Sequence, residues 1–204
     1  MTRFLLAALL LALAAAHADA GKYNKKLNIG DAAPTWDKLD ATDGKKYSFA
    51  DFKDKDVLVV VFTCNSCAVA EGYEGRLIAF AAECNKAGSK VGFVAINVNT
   101  NKDDALPAMK ERAAKKKFGF TYLYDPSQKI GRAYGANFTP ECFVLNKDRK
   151  VVYMGAFDDK SDGNPKAKYV EEAVKTALAG KAAPTPETPA AAGCRIKYKG
   201  EDDD

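Results

Sequence analysis

The sequence predicts an α/β protein with a mixed central sheet, helices on both faces and an N-terminal β extension. Three observations carry this. Buried-type runs rich in β-branched residues (57–62, 91–98, 121–124) alternate with segments of helical periodicity, the pattern of a sheet covered by helices. Two further apolar runs, 141–145 and 151–157, are separated only by Asn146-Lys147-Asp148-Arg149, which makes the last part of the sheet an antiparallel hairpin. With 47% hydrophobic and 28% charged residues, the 204-residue chain is too apolar to be disordered, and its length suits one domain with extensions.

The elements follow in order. Residues 21–28 are polar and Lys-rich and read as a loose lead-in. From Gly30, isolated apolar residues between turn residues suggest short strands, with Asp43-Gly44 as a hairpin turn. Val57 to Phe62 is a central strand buried on both faces. A helix over about 65–86 puts Tyr73, Leu77, Ala81 and Cys84 on one stripe and stops before Gly88. A strand at 91–98 is followed by a helix over about 104–116, with Leu106, Met109 and Ala113 inward and Pro107 in its first turn. A strand at 121–124 leads to a brief helix capped by Ser127 and ended by Gly135. After the hairpin, a helix over about 166–179 carries Val170, Ala173, Val174, Ala177 and Leu178 on one face. Residues 181–193 are Ala/Pro-rich and read as an extended linker to the tail CRIKYKGEDDD. No internal repeat is present.

Residues 1–20 read as a secretory signal: Arg3, an apolar run from Phe4 to Ala16, and Ala18-Asp19-Ala20 as a cleavage site. The run falls short of the roughly 20 residues a membrane span needs. The expectation is therefore an exported protein, periplasmic or secreted after cleavage near Ala20, with no stable membrane anchor. The net charge of +4 comes from 31 basic residues interspersed with 27 acidic ones, which gives no case for nucleic acid. The single histidine, His17, lies in the signal, so the mature chain has no Ser-His-Asp or Cys-His pair and no His-ligated metal. The chemistry is left to cysteine, carboxylate, lysine or tyrosine. No metal site is expected, and without a Gly-rich phosphate loop or flavin fingerprint no cofactor is either.

Cys64-Asn65-Ser66-Cys67 stands where the buried strand gives way to the long helix. Free N–H groups and the positive end of the helix dipole stabilise a thiolate there. The reading takes Cys64 as the more exposed, attacking thiol and Cys67, one turn in, as the resolving one. The competing readings are an inert disulfide or half of a zinc site. The latter lacks a second Cys pair and any histidine. Pro140 opens the strand 141–145 after a turn-like stretch, which suits a cis bond bringing backbone beside the site; an ordinary trans proline is the alternative.

These residues resemble the thioredoxin-like superfamily in its exported redoxin or peroxiredoxin-like branch (the alkyl hydroperoxide reductase C / thiol-specific antioxidant group). The matching text is Gly30-Asp31, Ala33-Pro34, Phe62-Thr63-Cys64-Asn65, Cys67, Tyr122-Leu123-Tyr124-Asp125, Ala133-Tyr134-Gly135-Ala136, Thr139-Pro140 and Gly155-Ala156-Phe157-Asp158-Asp159, with Gly193-Cys194-Arg195-Ile196-Lys197 at the tail. The resemblance covers about 30–180. It implies a thioredoxin fold in which cis-Pro140 faces the cysteine pair and Thr139 offers its backbone to an extended substrate. The sequence departs from relatives on both sides. Peroxiredoxins place the peroxide-reactive cysteine where Cys67 falls, a threonine where Cys64 falls, and an arginine near Thr139-Pro140. Exported reductases carry Trp, Pro and Glu where this chain has Thr63, Ser66 and Ala70. Glu71, one residue beyond that Glu position, is the candidate proton relay.

Cys84 lies about 25 Å along the same helix from Cys67. It reads as a buried, inert thiol, as does Cys142, although Cys142 lies near the site. Cys194 follows the linker and could reach the pair, as a third redox thiol or as an incidental cysteine in a disordered tail. The expected activity is thiol–disulfide exchange on protein or small-molecule thiols and disulfides, with an external electron donor or acceptor protein. A thiol peroxidase and a non-catalytic binding module are the alternatives.

Overall fold

Alternation along β3 (Val57–Phe62) divides the molecule into two layers. Val57, Val59 and Val61 point into one core and Leu58, Val60 and Phe62 into the other, all of them fully buried. The computed structural model describes residues 21–201, so the expected signal at 1–20 lies outside the described residues. β3 runs parallel to β4 (Val91–Asn97), and β4 parallel to β5 (Thr121–Tyr124). On its other side β3 is antiparallel to β7 (Glu141–Leu145), which forms a hairpin with β8 (Val151–Gly155). The N-terminal hairpin of β1 (Leu39–Ala41) and β2 (Lys46–Tyr47) adds antiparallel to β5. The seven strands stand in the order β2-β1-β5-β4-β3-β7-β8.

Helices cover both faces. α1 (Ala68–Cys84), α2 (Leu106–Lys116) and α4 (Tyr169–Leu178) bury Tyr73, Leu77, Met109, Val170 and Ala173 on one side. α3 (Lys129–Tyr134) buries Ile130 and Tyr134 on the other, beside Trp36 and Phe49 of the N-terminal extension. The N-cap of α3 is Gln128, in a left-handed conformation and without a side-chain cap bond, while the Ser127 hydroxyl donates to Asp125 and accepts the Lys129 N–H at 3.3 Å. Gly135 ends it at φ 64°. Among the described residues no helix is long and apolar enough to cross a membrane. This is a thioredoxin fold with a mixed central sheet flanked by helices.

Two expectations fail at the chain ends. The lead-in is packed: Asn24 and Leu27 are buried, and the N–H groups of Lys22, Tyr23 and Asn24 all donate to the Glu187 carboxylate. The segment 181–193 is extended, as its prolines require, but it is not a free linker. It lies along the outer edge of β8, where Met154 N–H donates to Pro186 O, Thr188 N–H to Met154 O and Ala156 N–H to Pro189 O. A proline has no N–H to give, but its carbonyl still accepts, so a Pro-rich stretch can cover an edge strand. Beyond it, β9 (Cys194–Arg195) pairs antiparallel with β6 (Phe138–Thr139), and Ile196 and Tyr198 insert into the core under α3. The tail is a packed part of the domain.

Candidate active site

The site is built where β3 ends. Thr63 N–H still donates to Ile96 O, and the chain then turns through Cys64, Asn65 and Ser66 before α1 begins. A buried carboxylate fixes that turn. Asp104 accepts from Asn65 N–H at 2.5 Å and from the Ser66 hydroxyl at 2.5 Å, and also from the side-chain amides of Asn97, Asn99 and Asn101. Burial opposes its ionisation, but these donors hold its pKa below the ordinary carboxylate value.

Cys67 is the N-cap of α1, in extended conformation (φ −104°, ψ 116°), with its sulfur accepting Ala70 N–H at 3.4 Å. Facing it is the Thr139-Pro140 bond, which is cis. Thr139 touches both sulfurs: its hydroxyl lies 3.2 Å from Cys64 Sγ, and its carbonyl accepts from the Cys67 thiol at 3.3 Å. The register of β6 and β9 sets Cys194 opposite Thr139. Cys194 N–H donates to Cys67 Sγ at 3.2 Å. The structure thus brings Cys64, Cys67, Thr139, Pro140 and Cys194 together. It closes the site as well, leaving Cys67 1% exposed under β9 while Cys194 itself is exposed.

The surroundings favour ionisation of Cys67 over Cys64, the opposite order to the one expected. Burial pushes the Cys64 thiol up to about 12; the Thr139 hydroxyl relieves this in part, while Asp104 and Cys67 add to it. Burial also opposes ionisation of Cys67. There the Cys194 thiol, Ala70 N–H, Cys194 N–H and Thr139 outweigh it, and the pKa falls below the ordinary thiol value. Cys194 supplies the largest of these, and the start of the helix adds to it. α1 begins after Cys67, so the Ala70 N–H donates to Cys67 Sγ rather than to Cys64.

Glu71, the candidate proton relay, is engaged with cations of α2. Its carboxylate bonds Lys116 and Arg112 across on α2, and both hold it ionised below its ordinary pKa, which makes it a weaker base. Cys84 and Cys142 are buried, as expected; burial pushes the first up to about 11 and the second well above its ordinary value. Sequence reasoning missed two carboxylates. Asp104 was read only as a helix start, although the three asparagines at 97, 99 and 101 are an unusual density of donors before it. Glu141, directly after the cis proline, accepts N–H bonds from Asn137 and Phe138, and burial pushes it up to about 7. A charged residue opening an otherwise apolar strand was the available signal.

The Redoxin family model matches residues 28–172. A hypothetical protein from Sinorhizobium meliloti 1021 is similar at 32% identity, over 87% of this chain and 98% of that one, with a TM-score of 0.78. The fold extends to peroxidoxin BcpB from Mycobacterium tuberculosis, at 16% identity over 75% of this chain and 97% of that one, TM-score 0.59. It extends also to a thiol:disulfide interchange protein of the thioredoxin family from Chlorobium tepidum TLS, at 21% over 74% and 99%, TM-score 0.56. No curated protein matches the sequence. At such low identity the last two likenesses concern the fold alone, so the choice between their chemistries falls to the site.

Proposed function

The chain belongs to the redoxin family, and from that premise we propose that it is a thiol–disulfide oxidoreductase whose attacking sulfur is Cys67. The observation that carries this reading is Cys67 Sγ at the N-terminus of α1, with N–H donors on it and cis-Pro140 facing it. The Cys67 thiolate attacks one sulfur of a protein or small-molecule disulfide and forms a mixed disulfide. Thr139 offers its backbone edge to the extended substrate chain, the edge that β9 occupies in this structure. A second thiol then displaces the substrate; the candidates beside Cys67 are Cys64 of the motif and Cys194 of the tail. The buried Asp104 fixes the turn between Cys64 and Cys67 through Asn65 N–H and the Ser66 hydroxyl. Electrons pass to or from an external thiol or partner protein, and the export signal read in residues 1–20 sets the chemistry in the periplasm or outside the cell.

A second reading, a thiol peroxidase, is favoured by one feature: a helix-capped thiolate at the position peroxiredoxins use. Against it, Cys64 stands where their threonine does, and among the described residues the groups bonded to the two sulfurs are Thr139, Ser66, Ala70 and Cys194, with no arginine. The test is to follow reduction of insulin disulfides and loss of hydrogen peroxide side by side, for the native protein and Cys67→Ser. Disulfide reduction that vanishes in the variant supports the proposal. Cys67-dependent peroxide loss outpacing disulfide exchange would establish the peroxidase instead.

A further inference from the structure

We propose that the C-terminal strand is a tethered reactant of this site, and that Cys194 rather than Cys64 resolves the mixed disulfide on Cys67. The inference deepens the oxidoreductase reading and rests on it. Three features of the docking support it. The first is register: pairing of β9 with β6 sets Cys194 against Thr139, with its N–H on Cys67 Sγ. The second is fit. A Cβ at Gly193 would meet Thr139 O at 1.9 Å, so the strand lies closer to β6 than any other residue allows there. The third is anchoring: Ile196 and Tyr198 are buried, the Tyr198 hydroxyl donates to Ala136 O, and Gln128 bonds both Lys197 O and Lys199 N–H.

The chemistry favours Cys194 over Cys64 as the resolving group. Cys64 is buried, and burial pushes its thiol to about 12. Cys194 is exposed; it too is pushed up, to about 11, but chiefly by its hydrogen bond to Cys67, with burial and the Cys67 charge adding. Both Cys67 contributions disappear once Cys67 is tied up as a neutral mixed disulfide. Cys64 loses the Cys67 charge as well, but burial, the largest cause of its shift, and the Asp104 charge persist.

Because β9 covers Cys67, a substrate disulfide reaches it when residues 193–196 lift from β6. The Cys67 thiolate attacks R–S–S–R′, the S–S bond breaks, and R′–S⁻ leaves and takes a proton. When the strand returns, Cys194 gives up its thiol proton and attacks Cys67 Sγ, forming Cys67–S–S–Cys194 as R–S⁻ leaves and takes that proton. The substrate disulfide gains two electrons, and Cys67 and Cys194 lose them. The exposed sulfur of Cys194 is then where a reducing thiol attacks.

The test uses the purified reduced protein, Cys64→Ser and Cys194→Ser, each treated with about 0.1 mM oxidised glutathione, then alkylated and mapped by mass spectrometry. A tethered thiol acts at an effective concentration on the order of millimolar, so replacing Cys194 leaves the Cys67–glutathione adduct to external thiol and lengthens its life about tenfold. The expected result is a Cys67–Cys194 disulfide in the native protein and in Cys64→Ser, and a persistent Cys67–glutathione adduct in Cys194→Ser. A native protein that forms only Cys64–Cys67, with a Cys194→Ser variant clearing glutathione equally fast, overturns the inference and leaves the oxidoreductase reading standing. No glutathione on Cys67 in any variant overturns both.

Discussion

Replacing Gly193 with alanine tests whether the tail governs access to Cys67. The added Cβ would lie 1.9 Å from Thr139 O and 2.8 Å from its carbonyl carbon, both backbone atoms, so neither partner can swing aside. Docking of residues 193–198 is a near balance. Burial of Ile196 and Tyr198 contributes about 1.5–3 kcal/mol each. The bonds to Ala136, Lys197 and Lys199 contribute about 1 kcal/mol apiece. Ordering the segment costs about 1–2 kcal/mol per residue. An overpacking cost of about 1–3 kcal/mol therefore shifts the docked equilibrium by about five- to a hundredfold toward the open form. The assay is alkylation of Cys67 by iodoacetamide in the reduced protein, read by mass spectrometry. It is best run near pH 9, where loss of the Cys194 donors weakens the thiolate least. The expected rise is about fivefold or more over the native protein. A rate within about twofold of native would show that the tail does not control the site, and the reasoning from the Gly193 contact would be wrong.

Three further outcomes follow from the buried groups. The reactivity of Cys67 with iodoacetamide rises with pH at a midpoint below the ordinary thiol value of 9.0, whereas Cys64 stays unreactive until about 12; equal midpoints would contradict the helix-cap argument. Glu141 has its folded pKa raised from 4.5 to about 7, so its contribution to stability is full below about pH 4.5 and is lost as pH rises through about 7. Glu141→Gln should therefore gain on the order of 3 kcal/mol relative to the native protein at pH 8 and almost nothing at pH 4.5, as measured by urea unfolding at the two pH values. Asp104→Ala strands Asn65 N–H and the Ser66 hydroxyl and should lower stability by about 3 kcal/mol, with Asp104→Asn losing less; a Tm unchanged by the alanine would mean water replaces the carboxylate.

Much of the fold was legible because burial writes a period into the chain. The runs at 57–62 and 121–124 become β3 and β5 at those bounds, since every position of a two-faced central strand must be apolar. The stripe Tyr73, Leu77, Ala81 and Cys84 is buried as its spacing requires. The hairpin and the Gly135 helix stop were likewise readable from turn chemistry, which left the bond before Pro140 open between cis and trans; the family resemblance implied cis. The tail was not. Composition gave its extended conformation correctly, but which edge an extended strand joins depends on shapes built by residues more than fifty positions away, such as β6 and the space left beside Gly131 for Tyr198.

The sequence by itself determined an α/β fold with a cysteine pair at a strand-to-helix junction and a proline beside it, because those are local patterns of period, turn and spacing; the redoxin family entered through the resemblance of its motifs. Only the tertiary structure decided what lies against each sulfur, and so which thiol its surroundings favour as the thiolate. Thiolate stability depends on where the N–H groups of α1 point and which side chains exclude water, and here those are Cys67, Asp104 and a strand from the far end of the chain. Such contacts are made between segments distant in sequence, and no residue spacing along the chain encodes them.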